Sequence, residues 1–544
     1  MGTGAVTNNA GLVFNRTDAL TVNNLITGTG NLTNNGAGTV TLQGTNSCTG
    51  TVAVNAGALV LGSVQALGKS TNIILTASPG AAGITGTRLG LAGSLATSTN
   101  MALYLLGSFA APDLRCNLYT ENGTNTWNGP ILLDNGDGVL ALAANATNAQ
   151  LNINGPITSP GFIGKLTLRG TGGRGGLNGP VNLPFGQVNK TDNSVWTISS
   201  TGNAWVSTDV AGGTLRLGAN NALPSGVTVN LLGGALDLAG FNQQIAGLNG
   251  ANAGSVIGSS STSADCVLTL NTTGTWTNGG IIQDTLTGGT RKVGLTLAGG
   301  SLTLTNVNSY SGKTIVSAGT LALAGAGTIA NSSLIYLGPG ATLDVSARTG
   351  AGLALGANQT LQGDGAFSIL GNLTNAGTIE LKVSKTGAVL ACDQLQSSSQ
   401  VTYGGTLKLD GSGDALVAGD AFKLFNAASY AGSFATVSPA TPGPGLAWYT
   451  GTLATDGTLR VISIPHFVST SSTFSASEST MTVSGSGGPP LLSFVVLTTG
   501  QGITNPVALW TPLQTNTFDA NGNCTLSLPL RTNRVQQYFR IRIP

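Results

Sequence analysis

The chain carries one histidine, His466, beside Pro465 at the edge of a Ser/Thr-rich stretch. Any Ser–His–Asp or Cys–His arrangement would have to use that imidazole, and a zinc site with two histidines is impossible. His466 therefore reads as a plain residue of a connection. Five cysteines stand far apart, at 48, 116, 266, 392 and 524, with no C-x-x-C pair. Neither a zinc ribbon nor a redox motif is readable, and the scatter suggests buried apolar fillers. A glycosidase needs two carboxyls within roughly 5–10 Å, and a lyase needs acids for calcium plus a Lys or Arg base. On a repetitive scaffold such groups would recur one repeat apart. Asp237 and Asp344 hold the same place in a recurring phrase, GALDL and ATLDV, but several repeats separate them. They read as outward, solvated strand positions too distant to cooperate.

Two acid–glycine runs, DNGDG at Asp134–Gly138 and DGSGD at Asp410–Asp414, could wrap oxygens around a hard cation. Each lacks a downstream bidentate Glu, and Asn-Gly and Asp-Gly are default turn pairs, so both read as turns. GTGGRG at Gly170–Gly175, with Asp192 about 20 residues on, matches a dinucleotide fingerprint in form. A true one opens a helix at the pyrophosphate. Here GLNGPVNLPFG follows, and Pro180 and Pro184 forbid that helix. Sugar binding would be read from exposed aromatic platforms. Trp127, Trp196, Trp205 and Trp276 fall outside the recurring phrase and are free for loops or faces. No catalytic, cofactor-binding or metal-ligating residue is assigned, and no cofactor is implied.

What must position these residues follows from composition. Of 544 residues 82 are Gly and only 42 are charged, so salt-bridged helix faces and charge-driven disorder are both excluded. Residues 1–110 hold only Arg16, Asp18, Lys69 and Arg88. Asn, Thr and Ser must wet the surface instead, and they favour strands and turns over helix. A net charge of +2 gives no electrostatic case for nucleic acid or an anionic membrane. No stretch approaches the ~20 apolar residues of a spanning helix, and residues 1–30 show no signal peptide, so the numbering starts after processing or inside a longer gene.

A phrase recurs: Gly, a small residue, an aliphatic, any residue, an aliphatic. It reads GTVTL at Gly38, GALVL at Gly57, GKLTL at Gly164, GTLRL at Gly213 and GALDL at Gly234. It continues as GSLTL at Gly300, GTLAL at Gly319, GTIEL at Gly377, GTLKL at Gly405 and GTLRV at Gly457. Aliphatics two apart share one face of a strand. Several copies follow one another at the same short interval, as Gly57 follows Gly38 and Gly319 follows Gly300. Units that short bury their aliphatics only by stacking, which is solenoid logic. Leu59, Leu61, Leu215, Leu217, Leu302, Leu304, Leu321 and Leu323 should then line a bore. Residues 38–62 and 300–324 align without a gap, placing Cys48 at Tyr310 and Gly50 at Gly312.

These segments resemble the autotransporter-associated β-strand repeat, most clearly at 27–69, 212–240 and 296–345. The resemblance implies an all-β chain: a right-handed parallel β-helix (solenoid) followed by a small antiparallel β module. It also implies a passenger on a bacterial surface or in the secreted fraction, of the Verrucomicrobia/Planctomycetes kind. Roughly 20 rungs spaced ~4.8 Å apart are expected.

Four stretches are expected: repeats at 1–357, further rungs with longer loops at 358–464, a Ser/Thr-rich linker or edge strand at 465–480, and the β module at 481–544. Within the module, Asp519–Asn523 reads as a hairpin turn before the alternating strand Cys524–Leu528. Roughly 80 C-terminal residues cannot build an outer-membrane translocator barrel.

The expected function is a non-catalytic extracellular or cell-surface structural or adhesive protein, self-associating end to end into filaments. A carbohydrate or cell-surface ligand is a further expected partner. The alternative is a polysaccharide-binding or polysaccharide-degrading β-helix. Carboxylates on adjacent rungs would favour the enzyme; ladders of Thr, Asn and Ser would favour the scaffold.

Overall fold

After the glycine of each phrase the chain forms a short strand whose two aliphatics turn to the same buried side, as in Thr39–Leu42, Thr214–Leu217, Ser301–Leu304 and Thr320–Leu323. The computed structural model describes residues 2–76, 86–106, 115–134, 139–350, 352–475, 479–504, 506–531 and 536–543. About half of the chain is strand. It divides into two compact units, Met1–Tyr336 with Ala341–Gly350, and Leu337–Gly340 with Ala351–Pro544.

The first unit is a three-sided parallel β-solenoid. One turn visits Ile131–Leu133, Val139–Ala144 and Gln150–Ile153, and each pairs in parallel with its counterpart in the next turn, Ile157–Thr158, Lys165–Arg169 and Arg174–Leu177. Side chains therefore stack in columns: Val40, Leu59, Leu89, Leu118, Leu142 and Leu168 follow one another in register, all buried. The eight leucines expected in the bore are at most 3% exposed. Leu302 stacks on Leu321 and Leu304 on Leu323.

Turn length varies more than the phrase suggests. Val40 meets Leu59 after one short turn, but Leu59 meets Leu89, and Leu89 meets Leu118, only after turns half as long again. The solenoid consequently makes about 16 turns rather than 20. Nor does the phrase mark one face. GTVTL, GALVL, GKLTL, GSLTL and GTLAL lie in one ladder, whereas GTLRL and GALDL lie in another with Val195–Ile198. The phrase is a way to start an inward-facing strand after a corner, and any corner serves.

Two glycine positions show why stacking demands them. A Cβ on Gly50 would lie 2.2 Å from the Gly30 carbonyl oxygen, and one on Gly312 2.3 Å from that of Val293, each in the preceding turn. Cys48 and Tyr310, aligned in sequence, are both buried.

The second unit has parallel ladders of its own, through Thr360–Gly363, Thr378–Thr386, Thr406–Gly413 and Thr436–Ser438, and through Ala366–Leu370, Gln394–Tyr403 and Phe425–Gly432. Residues 358–464 are more than rungs, however. Ala421–Lys423, Leu446–Tyr449 and Thr458–Ser463 form an antiparallel sheet, with one helical turn at Leu453–Asp456. Aromatic packing explains the change: the Tyr403 ring sits 5.0 Å from Phe425 and 4.9 Å from Phe434, and its hydroxyl donates to the Leu453 carbonyl at 3.0 Å.

Beyond it, His466–Ser475 is the edge strand of a three-stranded sheet with Thr480–Ser486 and Cys524–Pro529. A second sheet joins Thr511–Thr517, Ser493–Thr499 and Tyr538–Arg542. Phe494, Val496, Phe518, Leu526 and Leu528 are the buried core of these strands, with Phe539, Ile541 and Ile543 packed on them. The Asp519 carboxylate accepts the Asn521 and Asn523 N–H groups, which holds its pKa below the usual carboxylate range. This turn does not close a hairpin. Its flanking strands belong to different sheets, so it carries the chain across the core.

Candidate functional site

The outward surface of the first unit is organised by amide ladders. Asn178 donates to the Asn154 side chain at 2.9 Å and Asn154 to Asn128 at 2.8 Å, one turn apart each time. Asn249 donates to Asn230 (3.2 Å), Asn230 to Asp209 (2.7 Å), and Asn55 to Asn35 (2.9 Å). Parallel stacking in register repeats each side chain about every 4.8 Å, and a carboxamide is donor and acceptor at once. A column of asparagines thus satisfies itself without charge.

Carboxylates do other work. Asp237 is not a solvated outward residue: it is 1% exposed, because the next turn folds over it. It accepts the Ala239 and Ser260 N–H groups, the Ser260 hydroxyl at 2.7 Å and Arg216 Nε at 2.7 Å. Asp344 lies in another ladder and accepts the Ser346 N–H and hydroxyl. Asp284 copies Asp237, accepting the Ser311 N–H and hydroxyl and the Val293 N–H. Of DNGDG, residues 135–138 lie outside the described residues. DGSGD is not a turn: Asp410–Gly413 ends a strand paired with Lys382–Lys385, and Asp414 accepts the Gly387 N–H at 2.7 Å.

GTGGRG leads into the strand Arg174–Leu177, not a helix. Gly175 is there because the Trp196 ring of the next turn lies on it; a Cβ would meet that ring at 2.2 Å. Trp127, Trp196 and Trp205 are core residues at 0–4% exposure, and Trp276 is half-buried, so they form no exposed platform. His466 opens a strand rather than sitting in a linker. Cys48, Cys266 and Cys524 are buried free thiols, whose pKa values burial pushes up, and Cys392 is half-buried and free.

One notch escaped the sequence reading. Arg88, Tyr119, Ala143 and Arg169 stand on the outward side of successive turns of one ladder, Tyr119 in register with Gly90 and Ala143, and Ala143 with Arg169. Between them lies a cavity of about 170 Å³, lined also by Ala141, Asn145, Thr171 and Asp192. Tyr119 rests on Gly90, and the Arg88 guanidinium sits 5.7 Å from its ring centre. Arg169 is held by Asp192 at 3.0 Å. Arg88 Nε is buried with no hydrogen-bond partner among the described residues. Burial raises the Tyr119 phenol above its ordinary value against the pull of Arg88. The sequence signal was Arg88 itself, standing in a stretch almost empty of charge. Only the register of successive long turns brings Arg169 near it.

Together, these features define a parallel β-solenoid that carries small antiparallel sheets in its C-terminal part. The passenger-associated-transport-repeat family model matches residues 32–61 and 299–323. The chain is similar to the adhesin BmaC autotransporter of Brucella suis biovar 1 (strain 1330), with 27% identity over 436 residues. That match covers 71% of this chain, which spans 11% of the relative's length. Among solved structures, the Haemophilus influenzae Hap adhesin aligns over 84% of this chain and 63% of its own, at 13% identity and TM-score 0.35. Among the described residues no helix is long and apolar enough to cross a membrane.

Proposed function

We propose that the chain is a non-catalytic passenger of the bacterial surface or secreted fraction, a structural and adhesive β-helix that associates end to end. The observation that carries this reading is the side-chain ladders, amide throughout in Asn128–Asn154–Asn178 and ending on one carboxylate in Asp209–Asn230–Asn249, where an enzyme would need acids on adjacent turns. The carboxylates Asp237 and Asp284 instead pin the next turn, which removes them from solution chemistry. Similarity to an adhesin autotransporter supports the surface role. End-to-end association draws on the parallel strands themselves, such as Gly11–Phe14 on Asn31–Asn34 and Leu20–Val22 on Thr39–Leu42, whose backbone pairing a strand of another copy can extend. Unlike surfaces meeting head to tail do not close, so fibres result.

Negative-stain microscopy of the full chain should show filaments, and removing residues 467–544 should leave single particles. No release of reducing ends or unsaturated products from acidic polysaccharides is expected. Strictly monomeric full-length protein at high concentration would sink the assembly, and product release abolished by one Asp substitution would sink the non-catalytic reading.

A further inference from the structure

We propose that the notch at Arg88, Tyr119 and Arg169 binds one anionic sugar ring of a polysaccharide, its carboxylate or sulfate on Arg88 and its ring face against Tyr119 and the two alanines. The proposal rests on the surface reading above, since a passenger's outward face is where extracellular polysaccharide is met.

Size sets the first limit. Sites for drug-sized ligands run to about 300–1,000 Å³, so a notch of about 170 Å³ holds a single ring. Charge sets the second. The chain has only 22 basic residues, yet two guanidiniums face one small cavity beside a single lining carboxylate, Asp192, with Glu121 also near Tyr119. Arg169 is already matched by Asp192. Arg88 forms no salt bridge among the described residues, and its Nε is both buried and unpartnered. An ionised carboxylate or sulfate offers two oxygens in the spacing of the guanidinium fork, satisfying that Nε and an Nη together.

Shape sets the third. Tyr119 is 7% exposed and lines the cavity, so that its ring and hydroxyl are offered to whatever enters it. Ala141 and Ala143 give an apolar floor for the C–H face of a pyranose, with Asn145 and Thr171 at the rim for its hydroxyls. Sugars are recognised by this mixture of apolar contact and a few convergent polar groups.

The test measures binding of the full chain to immobilised polyuronate, to heparin and to neutral dextran. Polyuronate or heparin should bind at least tenfold more tightly than dextran, and the preferred one tells carboxylate from sulfate. Arg88→Gln should lose tenfold or more, and Ala143→Met, which fills the cavity without changing charge, should lose as much. Tyr119→Phe should lose a few-fold while keeping the packing on Gly90. Arg542→Gln, the same charge change on an exposed strand position, should bind like the parent. Each variant is compared at matched melting midpoint. Unchanged binding by Ala143→Met, an equal loss in Arg542→Gln, or no anionic sugar retained would each overturn the proposal. Glycan binding lost while the parent still decorates cell surfaces would remove this site alone and leave the passenger reading standing.

Discussion

Lys190 ends the strand Gln187–Lys190 in register between Leu168 and Val210, in a column of apolar residues, and it is fully buried. Its ammonium donates to the carbonyls of Thr191 (2.5 Å), Asp192 (2.8 Å) and Gly212 (3.1 Å), closing the corner where the chain leaves the face. Asn278 and Asn375 do the same at their own strand ends with a carboxamide, bonding the Gly280 and Gly404 carbonyls. Burial pushes the Lys190 pKa down from 10.5 to about 8, with Asp192 pulling weakly the other way. The unfolded chain therefore binds the proton more tightly than the folded one. Between pH 8 and 10.5 the unfolded state holds more protons, so stability rises with pH across that window. At about 1.4 kcal/mol per pKa unit, the rise is of the order of 3 kcal/mol. Urea midpoints of the parent should climb over this range relative to Lys190→Met, which has nothing to titrate there. Parallel curves would mean that the ammonium is better solvated than its burial implies. Nothing in the string QVNK marks this lysine as inward, because the strand lacks the repeat phrase and only its register reveals the face.

Elements were more legible than residues. Aliphatics two apart after a glycine located the inward side of every strand that carries the phrase, and Leu302, Leu304, Leu321 and Leu323 stack as their spacing required. Which ladder a strand joins was not legible. Corners of different length satisfy the same local pattern, so GTLRL went to a different face from GTLAL, and Asp237 and Asp344 parted company. Stacking has its own energetic signature. Leu302→Ala and Leu321→Ala should each cost about 2–5 kcal/mol and lower the melting midpoint. Gly312→Ala should be at least as damaging although it adds a single methyl, because that carbon would sit 2.3 Å from the Val293 carbonyl oxygen. Gly226→Ala, with nothing within 4 Å, should be nearly silent. If thermal melts rank Gly226→Ala beside Gly312→Ala, rung-to-rung contact is not what selects glycine in this fold.

At the scale of the molecule, composition foretold how the surface is wetted: with 42 charges in 544 residues, amides had to do it, and the asparagine ladders do. It did not foretell the Arg88 notch, which exists only because three long turns bring Arg88, Tyr119 and Arg169 into line. The two proposed interactions differ in physical origin, and salt separates them. End-to-end contact would use backbone edges and neutral side chains, on a chain that carries 42 charges in 544 residues. Screening shortens from a range of about 30 Å at 0.01 M salt to about 3 Å at 1 M, so an assembly without charge–charge contacts has little to lose. Binding of an anionic polysaccharide at Arg88 is an ion pair at a partly open site, and it gives up affinity as counterions compete. Raising sodium chloride from about 0.02 to about 0.5 M, which collapses that screening range, should leave the sedimentation profile of the filaments unchanged. The same change should weaken polyuronate or heparin binding by tenfold or more. Filaments that dissolve along with the glycan complex would mean that the scarce charges, not the strand edges, hold copies together.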